Sequence, residues 1–294
     1  MHLFHGSLVA LITPFKDGKV DEKALEHMIE WHIAQGTNAI VPTGTTGESP
    51  TLSDKEHTRV IELTVQIANH RIPVMAGAGS NNTIEAIHYS QEAEKAGADG
   101  LLHVAGYYNK PSQRGLYAHF KSVHDNSNLP IFVYNIPGRA VVNVLPETLA
   151  QLSELPRIAG VKDATGDLAR PWIERTLIKR DDFTWLSGED ATQVSYNVAG
   201  GSGCISVTAN IAPALVSKVQ KLCEENKWQE ARALQDQLMP LHQLMFKEPS
   251  PAGVKYAASL LGLCAEEARL PIVPLSEPYR QAIKAEMEKL GLIG

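Results

Sequence analysis

Residues 130–135 read Pro130-Ile-Phe-Val-Tyr-Asn135, an apolar run that does not alternate and that ends on two polar groups. A strand covered on both faces looks like this, because neither face meets water. Seven more runs of the same kind flank it: Leu8–Thr13, Ala39–Thr43, Ile72–Ala76, Gly100–Val104, Ile158–Lys162, Phe183–Ser187 and Cys204–Val207. Their centres fall 20 to 34 residues apart, which leaves room for one helix and two loops in each gap. Several gaps carry helix signals. Ser53-Asp-Lys-Glu56 is a capping box ahead of an apolar face. Asp21 can cap a helix with Ala24, Leu25, Met28, Ile29 and Ile33 on one face. Gly97 closes a helix before the run at 100. Eight βα units in sequence predict an α/β fold, the (β/α)8 TIM barrel. The structural rival is an open doubly wound sheet, and no GxGxxG opens a helix to support its dinucleotide-binding form.

After about Lys221 the strand rhythm stops. Lys227–Phe246, Ala252–Leu263 and Glu277–Leu290 read as helices, with a break at Glu248-Pro-Ser-Pro251. The expected organisation is therefore a barrel over residues 1–224 and a C-terminal helical appendix over 225–294, packed against it.

Composition narrows the function classes. The chain has 294 residues, 44% of them hydrophobic, enough to bury a core without disulfide or metal staples. Its 27 basic and 33 acidic residues give a net charge of −6, and no Lys/Arg block stands out. Nucleic acid is thus not an expected partner, nor is a membrane, since the longest charge-free stretch, 191–217, is broken by polar residues, glycines and Pro213. Three cysteines without a CxxC suit a reducing compartment, and no Lys or Arg precedes Lys16 to start a secretory leader, so a cytoplasmic location is expected. The eleven histidines are scattered and form no metal-binding pattern.

In a barrel the chemistry sits at the carboxyl ends of the strands. Strand two ends in Thr43-Gly-Thr-Thr-Gly-Glu48, strand four leads to Gly106-Tyr-Tyr-Asn109, and strand five ends in Tyr134-Asn-Ile-Pro-Gly-Arg139. Strand six ends in Gly160-Val-Lys162-Asp-Ala-Thr165, and strand eight in Ile205-Ser206. Lys162 closes an apolar run. Desolvation disfavours the ammonium form of a lysine, and a neutral amine attacks a ketone to form a Schiff base. Taken alone, Lys162 reads more readily as a lysine whose head stays in water. The Gly44-Thr-Thr-Gly47 turn offers amides to a small carboxylate, or is an ordinary turn. Tyr134 is placed to relay protons, or to pack. The Arg139 guanidinium suits a carboxylate, or solvent.

These motifs together resemble the 4-hydroxy-tetrahydrodipicolinate (dihydrodipicolinate) synthases, pyruvate-dependent barrels of the class I aldolase type. The resemblance rests on Gly44-Thr-Thr-Gly-Glu-Ser49, Tyr107-Tyr-Asn-Lys-Pro111, Tyr134-Asn-Ile-Pro-Gly-Arg139, Gly160-Val-Lys-Asp-Ala-Thr-Gly166 and Gly203-Cys-Ile-Ser-Val207, in order and in register along nearly the whole chain. It implies a carbon–oxygen lyase in the lysine and diaminopimelate route. Lys162 would form the imine with pyruvate, and Tyr134 would move protons. Thr45 would link Tyr134 to Tyr108, which would reach in from a neighbouring subunit. Thr46 and the backbone of Ile205 would hold the pyruvate carboxylate and imine, and Arg139 the carboxylate of L-aspartate 4-semialdehyde. No metal or organic cofactor is implied. A homotetramer, built as a dimer of dimers, is. Feedback inhibition by L-lysine would use Ser49, Pro50, Asp54, His57, Asn81, Glu85 and Tyr107. Asp54 stands where sensitive relatives often carry histidine, and Pro50 replaces a small residue.

The nearest rivals are sister Schiff-base aldolases, N-acetylneuraminate lyase and the keto-deoxy-sugar acid aldolases. Arg139 after Ile-Pro-Gly separates them. A phosphate-handling barrel is raised by Gly200-Gly-Ser-Gly203, which precedes strand eight and so lies at the wrong end. A non-catalytic metabolite sensor would be expected to lack Lys162, Tyr134 or Thr45, and all three are present.

Overall fold

The structure, a computed structural model, describes residues 3–294. Strands β1 (Gly6–Ala10), β2 (Ala39–Val41), β3 (Met75–Gly77), β4 (Gly100–Val104), β5 (Ile131–Asn135), β6 (Ile158–Asp163), β7 (Thr184–Ser187) and β8 (Gly203–Ser206) are all parallel. They are bonded in the order β2-β1-β8-β7-β6-β5-β4-β3. One bridge between Ile40 and Val74, with Ile40 N donating to Pro73 O and Gly77 N to Pro42 O at 3.0 Å each, joins the two ends into a cylinder. The expected barrel is therefore the observed one.

Two strands sit later or earlier than their apolar runs, for reasons in proline. The run at 72–76 becomes a continuous strand only at Met75, with Val74 in the isolated bridge to Ile40, because Pro73 has no amide to give to a ladder. The run at 8–13 leaves the sheet after Ala10 and turns before Pro14, though Leu11, Ile12 and Thr13 stay buried. Among the elements that escaped the sequence reading is a two-stranded hairpin, which pairs Phe15–Lys16 with Lys19–Val20. Its turn is Asp17-Gly18, both at positive φ, a pair that favours this tight connection.

Helices α1 (Glu22–Ala34), α2 (Asp54–Ala68), α3 (Thr83–Ala96), α4 (Gln113–Asp125), α5 (Pro146–Ser153), α6 (Arg170–Leu177), α7 (Gln193–Val198) and α8 (Pro213–Glu224) follow the strands in turn. The expected caps form. Asp21 accepts from Ala24 N at 3.1 Å, and Ser53 and Glu56 close a reciprocal box, each such cap contributing about 1 kcal/mol. Inside the cylinder Leu8, Leu102, Phe132, Leu186 and Ile205 interdigitate. Phe4 plugs the amino end edge-on to Phe132, and Gly100 leaves the room for it, since a Cβ there would lie 2.7 Å from the Phe4 ring.

The tail forms α9 (Trp228–Leu244), α10 (Ala252–Leu260) and α11 (Glu277–Lys289). Position 224/225 falls in the turn between α8 and α9. Leu241, Met245, Val254, Ile283 and Met287 of the tail share one apolar cluster with Leu25, Met28 and Val216. Among the described residues, no helix is long and apolar enough to cross a membrane.

Candidate active site

A cleft of about 470 Å3 opens at the carboxyl end of the barrel, walled by the loops after β2, β3, β4 and β5. Its lining includes Thr45, Tyr107, Tyr134 and Arg139.

Tyr134 and Lys162 are register partners on β5 and β6. Parallel neighbours in register point the same way, so both side chains enter the barrel mouth. The Lys162 Nζ lies 3.9 Å from the centroid of the Tyr134 ring, and each residue is only 6% exposed. The lysine head is thus not in open water, which decides against the snorkelling alternative. Its stem passes Gly188, where an added Cβ would stand 3.0 Å from Lys162 Cε and 2.9 Å from Ala164 Cβ. Gly188 follows β7, a strand end that the sequence reading passed over; a glycine at the end of a barrel strand was the available signal. The same loop holds Glu189, half-buried, whose carboxyl is pushed up by burial and by Asp190 and Asp163, with Lys162 opposing.

Behind Lys162 lies a buried charge cluster. Arg170 Nε meets Glu174 Oε1 at 2.7 Å and Asp163 Oδ2 at 3.7 Å, while Trp185 Nε1 donates to Glu174 Oε2 at 3.1 Å. Burial pushes the Glu174 carboxyl up to about 7 against the pull of Arg170.

The Gly44–Ser49 turn is held from below. Thr13 Oγ1 donates to Gly47 O at 2.7 Å, and Thr43, at φ 53, donates through Oγ1 to Gly77 O at 2.9 Å. A Cβ on Gly77 would meet Thr43 O at 2.4 Å, so this approach requires glycine. Thr46 is buried and Thr45 exposed to the cleft. Ile205 is buried on β8. The chain beyond it is fixed by Asp190, whose carboxylate accepts from Ser206 Oγ, Val207 N (2.9 Å) and Thr208 N (3.3 Å). Gln235 of α9 in turn donates to Asp190 O at 2.8 Å, and His242 bonds Thr208 Oγ1 at 2.8 Å. Arg139 is exposed on a single helical turn, Pro137–Ala140, and among the described residues makes no ion pair. Tyr108 does not enter its own cleft: it is 88% exposed at φ 66.

Of the residues expected around L-lysine, Ser49, Pro50, Glu85 and Tyr107 line the same cleft. Asn81 donates to Tyr107 O at 3.3 Å. His57 is buried, stacked 4.2 Å from Tyr89, and burial lowers it to about 4. Asp54 stands apart on the surface, paired with His88 at 3.0 Å. The Gly200–Gly203 run lies at the amino end of β8, the opposite end from Lys162. No cluster of three His, Cys, Asp or Glu residues able to hold a metal occurs among the described residues.

Comparison with known proteins agrees with this geometry. The sequence profile of the dihydrodipicolinate synthetase family matches residues 3–290. The 4-hydroxy-tetrahydrodipicolinate synthase of Parvibaculum lavamentivorans is 55% identical over 99% of this chain and 100% of its own. The crystal structure of the chloride-inhibited dihydrodipicolinate synthase from Acinetobacter baumannii, complexed with pyruvate, superposes with a TM-score of 0.95 at 44% identity, covering 98% of this chain and 99% of that one. That of the Cyanidioschyzon merolae enzyme with lysine bound gives 0.96 at 33% identity over the whole of both chains. With a Lys–Tyr pair at the mouth of a parallel eight-stranded barrel and full-length similarity of this order, the chain belongs to the dihydrodipicolinate synthetase family.

Proposed function

We propose that this chain is a 4-hydroxy-tetrahydrodipicolinate synthase, a lyase that condenses pyruvate with L-aspartate 4-semialdehyde. The single observation that carries the reading is Lys162 Nζ held against the ring of Tyr134, which itself lines the cleft, within the family's motifs. The Lys162 amine adds to the C2 carbonyl of pyruvate, and water leaves to give a protonated imine. Loss of a C3 proton yields an enamine, whose C3 attacks the aldehyde carbon. The amine of the second substrate then attacks the imine carbon, closes the ring and frees Lys162. The imine itself is the electron sink, so the reaction asks for no cofactor.

Tyr134, against the Nζ, hands the protons in and out. Thr45 relays them to Tyr108 of a neighbouring copy, a role consistent with the outward turn of Tyr108. Thr46 and the Ile205 backbone hold the pyruvate carboxylate, and Arg139 holds that of the semialdehyde by a forked, charge-assisted contact. The working assembly is a homotetramer, dimer of dimers. Trp172, Ile173 and Leu177 on α6 are apolar and exposed, as a face buried between copies requires. L-lysine binds beside the site, its ammonium on Glu85. The free thiols Cys204, Cys223 and Cys264 suit the cytoplasm as the enzyme's location.

The test is direct. The protein is incubated with pyruvate and borohydride and then weighed. A reduced pyruvyl adduct on Lys162 is expected, and its absence overturns the reading. Turnover of aspartate semialdehyde, and not of N-acetylneuraminate or a keto-deoxy sugar acid, is expected in coupled assays; the reverse preference assigns a sister aldolase. An initial rate unchanged by saturating L-lysine removes the inhibitor site.

A further inference from the structure

The turn that carries Thr45 and Thr46 is gripped from the appendix. Glu48, three residues on from Thr45, is buried and sits in the left-handed region at φ 56. One carboxylate oxygen meets Lys255 Nζ of α10, and the other accepts from the Arg269 amide at 2.9 Å. Lys255 is fully buried. It donates to Glu267 O at 2.7 Å and lies 4.1 Å from the centroid of Phe15. Arg269 stacks on the same ring at 4.3 Å and donates to Thr51 O at 2.7 Å. The backbone of Glu48 is equally committed: its N–H donates to Thr45 O at 3.1 Å and its C=O accepts from Thr51 N at 2.9 Å. The carboxylate is thus tied to the appendix and the backbone of the same residue to Thr45.

A buried ion pair is a poor device for stability, because desolvation cancels most of its attraction, and apolar replacements are often neutral. What such a pair does well is to select one geometry. Here it joins a strand-end turn to a helix more than two hundred residues away in sequence.

We propose that Lys255 is a positioning residue that acts through Glu48 to fix the Thr45-Thr46 turn, so that the helical appendix sets how tightly the barrel grips a 2-oxo acid carboxylate. This rests on the reading of the site given above. The experiment is borohydride trapping over a range of pyruvate concentrations, read as the concentration giving half-maximal adduct, alongside thermal melts. Wild type must trap; if it does not, the site reading itself is overturned. Given that it does, Lys255→Met is expected to raise the half-saturating pyruvate about tenfold or more, with full adduct at saturation, because small misplacements of a binding group are costly. The double variant Glu48→Gln/Lys255→Met removes both charges at similar volume and avoids leaving one buried alone. It is expected to stay folded and still to show the raised requirement. Lys255→Arg, which keeps the charge, is expected to fall closer to wild type. A folded Lys255→Met or double variant with wild-type half-saturation, its effect confined to the melting temperature, overturns the proposal.

Discussion

Lys162 and Tyr134 are a pair made by register: strands β5 and β6 deliver them side by side with no help from the loops. Lys162→Ala is expected to lose more than about a thousandfold in kcat and all of the borohydride adduct, since no other group can form the imine. Tyr134→Phe keeps the adduct and loses about a hundredfold or more in kcat, the usual worth of a positioned proton carrier. Mass spectrometry and a coupled rate assay read the two outcomes. Both residues were legible in the sequence because each ends an apolar run. Gly188 carried only the weak signal of a glycine at a strand end, because what it answers to is a methylene of Lys162 on the neighbouring strand. Gly188→Ala is expected to raise KM for pyruvate about tenfold by displacing the Lys162 stem. A variant with unchanged KM would show that the stem has room to move. The roles of Arg139 and Tyr108 were legible mainly through the family motifs; neither side chain has a hydrogen-bond or ion-pair partner among the described residues.

At the scale of elements, periodicity served well wherever an element is covered by others. The eight apolar runs exist because helices lie over one face of the sheet and the barrel interior over the other. The hairpin at 15–20 was passed over because each strand is two residues long, too short for a pattern, although Asp17-Gly18 announces its turn. The contacts between appendix and strand ends could not be read at all. Asp190, Gln235 and His242 are polar residues in helical or turn sequence, ordinary until the fold buries them together. Asp190→Ala leaves the amides of Val207 and Thr208 and the Ser206 hydroxyl without their acceptor. A loss of about 3 kcal/mol follows from orphaning buried donors. Denaturant unfolding measures it, and a loss below about 1 kcal/mol would show that water replaces the carboxylate.

For the molecule as a whole, buried histidines set the acid limit. Burial lowers His32 and His103 to about 3 and His57 to about 4, from 6.5. The unfolded chain takes up these protons near pH 6.5 and the folded one does not, so the stability they permit is full above 6.5. It is lost as the pH falls from there toward 4 and below. Melting temperatures are expected to drop over that window. His103→Gln, which retains a polar partner for Ser90 Oγ, is expected to flatten the drop; an identical slope would assign the effect to carboxylates instead.

The cylinder is not equally strong all the way round. Between β2 and β3 the pairing is the single Ile40–Val74 bridge, with hydrogen bonds from the Ile40 and Gly77 amides and from Thr43 Oγ1 beside it, whereas β5 and β6 are laced along five register pairs. The β2–β3 join is one of two thin seams, since β7 and β8 share only the Cys204–Ser187 register pair, and deuterium should enter the Ile40 and Gly77 amides well before those of Val133 and Val161. The cleft straddles it, with Ser49 and Pro50 on one bank and Glu85 and Tyr89 on the other. A guest bound across both banks would stitch the seam shut and slow that exchange, making breathing of the wall the motion that occupancy of the cleft restrains.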